Sequence, residues 1–505
     1  MSQAPVILWF KRDLRLHDHA PLWHAAQLGH PVIPLYIVEP EYWNQPFASA
    51  RHWRFVRECL MELSQGLEGL GQPLVIRKGS ACDVIRTLNK EFGCDRLLAH
   101  EETADLWTYE RDKSVRRLCR ELGVEVQEYP TNGVVRRLGS RDDWAKLRNQ
   151  RMAEPVLPKP TRLVACPDCR TDPLPAHDDP MFGTLMRAAQ TGGRKAAVAD
   201  LTSFLTDRSA RYVQHISSPQ NSVTSCSRLS AHLAWGTLSA REVVQALESR
   251  KAALSPMEKP RFARNLKAFG SRLAWRCHFV QKLEDQPTLE THCMHPAFEG
   301  LRDEDFDPVK FDAWSRGATG FPFVDACMRS LIETGWINFR MRAMLVSFAS
   351  YQLWLDWRKT APVLARLFTD YEPGIHYSQF QMQSGVTGIN AIRVYNPIKQ
   401  SHDQDPSGRF IRTWVPELRN IDPEFIHEPW LAKRSLFAND ASGTYPAPIV
   451  NNAEAMRLAK DRIAAVRKSE PFRAAAKTVY AQHGSRKRTR RKTPRPDRPD
   501  QLSLF

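Results

Sequence analysis

The sequence predicts a Rossmann-like α/β domain built on a parallel sheet, followed by an all-α domain. Three observations carry that prediction. Short β-rich runs alternate with amphipathic windows over the first 130 residues, a proline-rich stretch interrupts the pattern, and helical spacing then continues to about residue 470. With 505 residues the chain has room for two or three domains and a large buried core.

The predicted strands are VILWF (6–10), VIPLYIV (32–38), PLVIRKG (73–79), RLLAHE (96–101) and VEVQEYP (124–130). Residues 47–70, 82–92 and 107–122 show apolar spacings of three and four and read as the helices between them. This alternation argues a parallel sheet with helices on both faces. The first strand is not followed by GxGxxG, so the ordinary dinucleotide fingerprint is absent. HEETADLW (100–107) follows the fourth predicted strand and reads either as a binding loop or as a plain helix start.

Residues 133–200, with VLPKPTRLVACPDCRTDPLPAHDDP at their centre, read as a long interdomain connection. The domain expectation is therefore 1–132 for the α/β unit, 133–200 for the linker, 201–470 for the helical unit, and 471–505 for a disordered basic tail. Cys166 and Cys169 form one CxxC, but zinc would need two more ligands at suitable spacing, so this is read as a turn and no metal is expected.

Composition narrows the partners. The net charge of +16 favours a polyanion over a neutral small substrate. The tail SRKRTRRKTPRPDRPD (485–500) supplies only part of that excess, so the body is basic in its own right. MSQAPVILWFKRDLR puts charge where an apolar signal core should run, and the longest apolar run, AMLVSFASYQLWL (343–355), is too short to span a bilayer. The expectation is a bacterial, cytoplasmic, nucleoid-associated monomer with reduced thiols and no membrane contact.

In the helical half, TSCSRLSAHLAWGTLS (224–239) sets small hydroxyl residues before a helix. Such a start can seat an anion on free N–H groups, or serve as a simple N-cap. Beside it stand RLAWRCHF (272–279) and DYEPGIHYSQFQMQS (370–384), the latter free of lysine and arginine in a basic chain.

Four ordered segments, WFKRDLRLHDHAPL (9–22), CSRLSAHLAWGTLS (226–239), WSRGATGFPFVDACMR (314–329) and RVYNPIKQSHDQDPSGRFIRTWVPEL (393–418), resemble the motifs of the photolyase/cryptochrome flavoproteins. The resemblance covers roughly residues 5–430. It implies an α/β antenna domain, a helical domain holding FAD, and blue-light electron transfer to a pyrimidine dimer flipped out of damaged DNA. It carries the phosphate seat to Cys226, Ser227, Arg228, Leu229 and Ser230 with Tyr212, and the flavin-facing helix side to Phe269 and Arg276. Arg342 and Asp370 match a salt-bridged pair beside the flavin ring, Glu372 replaces a second aspartate, and His376 falls where the family faces flavin N5. A histidine there is expected to hydrogen-bond and to titrate near physiological pH. The DNA rim is expected at Arg228, Arg276, Arg340, Arg342 and Arg393.

The departures from the pattern are specific. Arg272 stands where repair enzymes carry an acid that contacts the lesion. Trp275 keeps one wall of the lesion pocket and Met382 replaces the second. In the implied electron relay Trp357 and Trp314 match the outer tryptophans, while Phe380 replaces the inner one, with Tyr371, Tyr377 and Trp354 as possible substitutes. THCMHPAF (291–298) is similar to an antenna-bordering element, which brings Cys293 to a pterin; the antenna is left open between methenyltetrahydrofolate and a deazaflavin. The last five residues, with Gln501, Leu502, Leu504 and Phe505, resemble the peptide that docks bacterial proteins on the DNA polymerase sliding clamp. Two activities follow: a light-driven dimer-splitting lyase, favoured by the basic rim and tail, or a cryptochrome-type photoreceptor, favoured by Arg272, Met382 and Phe380.

Overall fold

The computed structural model describes residues 3–184, 190–432 and 445–484. Five strands, β1 (Val6–Phe10), β2 (Pro31–Val38), β3 (Val75–Lys78), β4 (Arg96–His100) and β5 (Glu125–Tyr129), form a sheet in the order β3-β2-β1-β4-β5. Every pairing is parallel, with Val6 opposite both Val32 and Arg96. The period-2 pattern of β1 explains why it sits at the centre. Val6, Leu8 and Phe10 enter the core shared with the helical half, while Ile7 and Trp9 enter a second core with Ile85, Leu88 and Leu118. The carboxyl end of β1 therefore delivers Lys11, Arg12 and Asp13 to the junction between the two halves.

Three segments depart from the sequence reading. The helix Ala20–Leu28 was not anticipated; the His19 side chain caps it by accepting the Leu22 N–H. The proline-rich connection is not a free linker, since it carries the helix Trp144–Ala153 and a short strand β6 (Val164–Ala165) that pairs with β2. It is fastened to the sheet unit by Leu163 N–H to Leu70 O and Trp53 Nε1 to Ala176 O. Proline-rich chain without internal periodicity can still be ordered by such tertiary hydrogen bonds, which periodicity cannot register. CPDC is a turn with Asp168 at φ +62°, and both thiols are free.

The third departure is the helix Glu470–His483, all but its first residue within the segment 471–505 expected to be disordered. Val479 packs with Leu283, Leu289 and Met294, and His483 Nε2 pairs with Gln286 Oε1 at 2.6 Å. One buried valine and one terminal histidine are too sparse a pattern to read as a helix period. The QLSLF segment lies outside the described residues.

Beyond residue 200 the described fold is helical throughout, as expected. Its central element, Lys259–Asp285, buries Phe262, Leu266, Phe269, Leu273, Cys277 and Val280 at spacings of three and four. It packs closely on the helix Pro373–Ser384, where Gly374 is required: a Cβ there would stand 2.5 Å from Val280 Cα. Among the described residues, no helix is long and apolar enough to cross a membrane.

Candidate functional site

Four segments converge on one basic site. Arg342, in the first turn of the helix Phe339–Ser347, makes a bidentate pair with Asp370 at 3.0 and 2.8 Å. Ser230 also bonds the Asp370 carboxylate, and Arg228 faces it. Burial alone would raise the Asp370 pKa, but these partners hold it below the usual carboxylate range. Arg228 adopts φ +62° and lays its guanidinium over the Trp336 ring at 4.1 Å. Desolvation lowers its pKa to about 10, so it stays charged at neutral pH.

Cys226 is surrounded by Arg228, Arg208, Arg272 and Arg342. The site thus holds more guanidinium than carboxylate, an imbalance that fits an anionic phosphate group. The helix after the 226–230 loop is only five residues long, Ser230–Ala234, so arginines rather than a long helix dipole supply the attraction. Tyr212 is buried with its hydroxyl hydrogen-bonded to Arg272. Leu229 and Phe269 are core residues, Phe269 packing edge-on against Phe204 at 4.7 Å.

Two predicted rim arginines are not rim residues. Arg276 pairs with Glu372 and donates to Leu233 O at 2.8 Å, and Arg342 is committed to Asp370. Both are spent on internal partners, which leaves less charge for a polyanion than the sequence implied. Arg340 and Arg393, by contrast, both face Tyr395, next to the exposed ring of Phe339. Arg272 lies over the Trp275 ring at 4.3 Å, so cation and aromatic wall form one unit. Met382 is half-buried on the adjoining helix.

His376 does not titrate near physiological pH. Burial pushes its pKa down to about 3, the opposing effects of the Ala361 carbonyl and Asp370 being smaller than the desolvation. Its Nε2 donates to Ala361 O at 2.9 Å, which leaves Nδ1 as a fixed acceptor. The ring rests against Phe380 at 4.6 Å and Tyr377 at 5.3 Å.

The aromatic neighbours of the implied relay are now distinguishable. Trp357 is buried and meets Tyr377 edge-on at 6.5 Å, and Tyr377 shares a hydroxyl contact with Tyr371 at 3.4 Å. Trp354 has the guanidiniums of both Arg302 and Arg462 over its ring, at 4.4 and 4.8 Å, which disfavours a positive charge there. Trp314 is fully buried, its Nε1 on Leu345 O, with Phe311 as its ring neighbour.

The carboxyl end of the sheet is filled by a buried ion network, with Lys11 on Asp112 at 2.8 Å and Arg111 bridging Glu39, Glu102 and Asp112. HEETADLW contains a helix start and lends one carboxylate to this network. Asp105 N-caps the helix Leu106–Leu122, and Glu102 joins the network. Beside it opens a cavity of about 550 Å³ lined by Glu39, Gln45, Trp107, Glu110, Arg111 and Glu290. Cys293 does not line it: its thiol is buried, donating to Phe298 O at 3.6 Å beside Arg358.

Sequence reasoning missed two junction features. Asp13 accepts from His19 Nε2 at 2.9 Å and His100 Nδ1 at 2.7 Å. These ligand atoms lie within 4.8 Å of one another, yet His19 Nδ1 already accepts a backbone N–H, so Nε2 must carry the proton. The group is therefore a hydrogen-bonded brace rather than a metal cage. The other is Arg12, which donates to Ala234 O and Tyr371 O across the junction. Both sit in KRDLRLHDH (11–19), whose density of charge after an apolar strand was the available signal.

Comparison with known proteins bears directly on this arrangement. Residues 6–140 match the DNA photolyase family model, and residues 269–465 match the model of the FAD binding domain of DNA photolyase. The chain is 31% identical over 471 residues to a deoxyribodipyrimidine photo-lyase of Streptomyces griseus, covering 90% of this chain and 98% of that one. It is 27% identical to cryptochrome-2 of Gallus gallus, over 90% of this chain and 82% of the other. The crystal structure of a class III photolyase from Agrobacterium tumefaciens superimposes with a TM-score of 0.78 at 27% identity, covering 93% and 99% of the two chains. An α/β sheet unit joined to a helical half with an arginine-rich, aromatic-walled site, together with these matches, makes the chain a member of the photolyase/cryptochrome family.

Proposed function

We propose that the chain is an FAD-dependent DNA photolyase, a lyase that uses blue light to split pyrimidine dimers in damaged DNA. The observation that carries the reading is the guanidinium surplus around Cys226–Ser230 and Asp370, set against the Arg272–Trp275 pair. An anionic cofactor and an apolar base-sized partner call for that combination.

The residues fit FAD. Cys226, Ser227, Arg228, Leu229 and Ser230, with Tyr212, would hold its phosphates; Phe269, Arg276, Arg342, Asp370, Glu372 and His376 would border its ring. When bound, FAD supplies the light absorption and the electron chemistry. The chain's own part is to bind, orient and exclude water. His376 offers Nδ1 as a neutral acceptor at every pH the cell meets. Trp275 and Met382 would receive a flipped-out lesion, with Arg272 donating to its carbonyls, while Arg340 and Arg393 grip the backbone. Trp314, Trp357 and either Tyr377 or Phe380 would carry electrons inward. The 550 Å³ cavity is the seat for a second chromophore, and its carboxylates suit the ring N–H donors of a pterin better than a phosphate-bearing deazaflavin.

We read residues 1–132 as the antenna domain and 201–470 as the FAD domain of a monomeric, cytoplasmic bacterial protein. The basic tail would hold DNA, and Gln501, Leu502, Leu504 and Phe505 would tether the chain to the sliding clamp. Deleting those four contacts should abolish clamp capture and leave flavin spectra unchanged; retained capture removes the tether. A photoreceptor of cryptochrome type is the second reading, favoured by Phe380 and Met382. Illumination of the reduced, flavin-loaded protein with dimer-containing oligonucleotide separates the two. Restored bases mean lyase; a flavin-tight protein that restores none is a receptor.

A further inference from the structure

The helix Trp357–Leu367 ends just before Asp370, and the next helix begins at Pro373. A helix end leaves carbonyls without backbone partners. Here five carbonyls in and after the last turn accept from side chains elsewhere in the chain, the Phe368 carbonyl also accepting the Tyr371 N–H at 3.1 Å. Ser49 Oγ donates to Arg366 O at 2.9 Å, Arg51 Nη1 to Leu367 O at 2.7 Å, and His52 Nε2 to Phe368 O at 2.8 Å. Trp235 Nε1 donates to Thr369 O at 3.2 Å, and Arg12 Nη2 to Tyr371 O at 2.6 Å. The residue skipped by this series is Asp370, whose side chain carries the ion pair to Arg342.

Four of the five donors belong to the sheet half. The fifth, Trp235, is itself covered by the Arg12 guanidinium at 4.6 Å. The Tyr371 ring is stacked by Phe47 at 5.5 Å and His52 at 6.0 Å, again from that half. His52 is held neutral by burial, its pKa near 4, so its donor tautomer persists across the physiological range. At the junction Gly236, at φ +70°, packs so close to the Arg12 carbonyl that a Cβ could not enter. The backbone from 366 to 371 is thus a strap whose conformation is set by Arg12, Ser49, Arg51 and His52.

We infer that these four residues are positioning residues for the flavin site: the sheet half fixes where the Asp370 carboxylate stands, and through it Arg342. The inference rests on the reading of Arg342–Asp370 as part of that site. It gives the sheet half a role independent of any second chromophore.

A double-mutant cycle on the full-length chain tests it, reading FAD affinity by titration after flavin removal, with thermal unfolding of the flavin-free protein in parallel. His52→Leu should weaken FAD binding about tenfold in the parent background and leave it nearly unchanged in an Asp370→Asn background, because a strap with nothing to position has nothing to lose. His52→Gln, which keeps an N–H donor, should recover most of the affinity. An equal loss in both backgrounds overturns the inference, since the contacts would then add only general stability. Asp370→Asn with undiminished affinity overturns the underlying reading of the pair, and the inference with it. If His52→Leu does not fold, Ser49→Ala removes one hydroxyl in the same cycle, and strict additivity there is equally decisive against it.

Discussion

Gly374 is a position where the site is sensitive to a single methyl group. It lies in the first turn of the helix Pro373–Ser384, against Val280 of the helix Lys259–Asp285. An alanine Cβ would meet Val280 Cα at 2.5 Å and Val280 Cβ and Cγ2 at 3.2 Å, where ordinary contact begins near 3.4 Å. The nearest obstacle is backbone, so the two helices must part by about 1 Å. Alanine gains up to about 1 kcal/mol of helix propensity, less in a first turn, while overpacking against backbone costs about 1–3 kcal/mol. The net expectation for Gly374→Ala is a loss of about 1–2 kcal/mol.

Binding should suffer more than stability. One helix carries Trp275 and Arg276 and the other His376 and Met382, with the Arg276–Glu372 pair crossing the same seam. A shift of about 1 Å there costs up to about 100-fold in an activity that depends on alignment. Denaturant unfolding and FAD titration measure the two effects. Gly270→Ala is the control, because its Cβ would meet only the flexible Leu247 Cδ2, at 3.1 Å, and it should be neutral or stabilising. An unchanged or raised unfolding midpoint for Gly374→Ala, with unchanged FAD affinity, would refute the steric argument.

Three further outcomes are expected. Burial first, then Asp105, pushes the Glu290 pKa up to about 8, so the folded chain keeps a proton that the unfolded chain releases near 4.5. Stability is therefore lost as pH rises through that window, and Glu290→Gln should exceed the parent by about 1–3 kcal/mol above pH 8 while matching it near pH 4.5. Burial lowers His52 to about 4 and His100 and His376 to about 3, so their contribution is present above about 6.5 and is lost as pH falls toward those values. Proton uptake on unfolding near pH 5, measured by calorimetry in paired buffers, checks this, and a His376 resonance titrating near 6.5 contradicts it. In flavin-loaded protein, Trp357→Phe should abolish photoreduction and Phe380→Trp should speed it, whereas Trp354→Phe should change nothing; transient absorption reads all three, and a large effect at Trp354 would reverse the relay assignment.

Much of the fold was legible because its signals are local. The strand runs fell within a residue or two of their true ends, since β1, β2 and β4 are short, almost continuously buried runs whose signal is local. The helix Lys259–Asp285 was visible through its spacing of three and four. The helix Glu470–His483 and the ordering of 133–200 were not, because each depends on a few contacts with distant chain. At the site, Arg342 with Asp370 and the guanidinium loop were anticipated from motif resemblance. The fate of individual charges was not: Arg276 turns inward to Glu372, and Cys293 stays buried beside Arg358.

By itself the sequence determined the two-part architecture, the basic character and the residue types of the site, because periodicity, composition and motif order are properties of the chain alone. Only tertiary structure decided which cations are neutralised, that His376 is a permanent acceptor rather than a titrating group, and that the sheet half grips the strap bearing Asp370. Those outcomes depend on desolvation and on partners from fifteen to more than three hundred residues away, and neither quantity is carried by any local stretch of sequence.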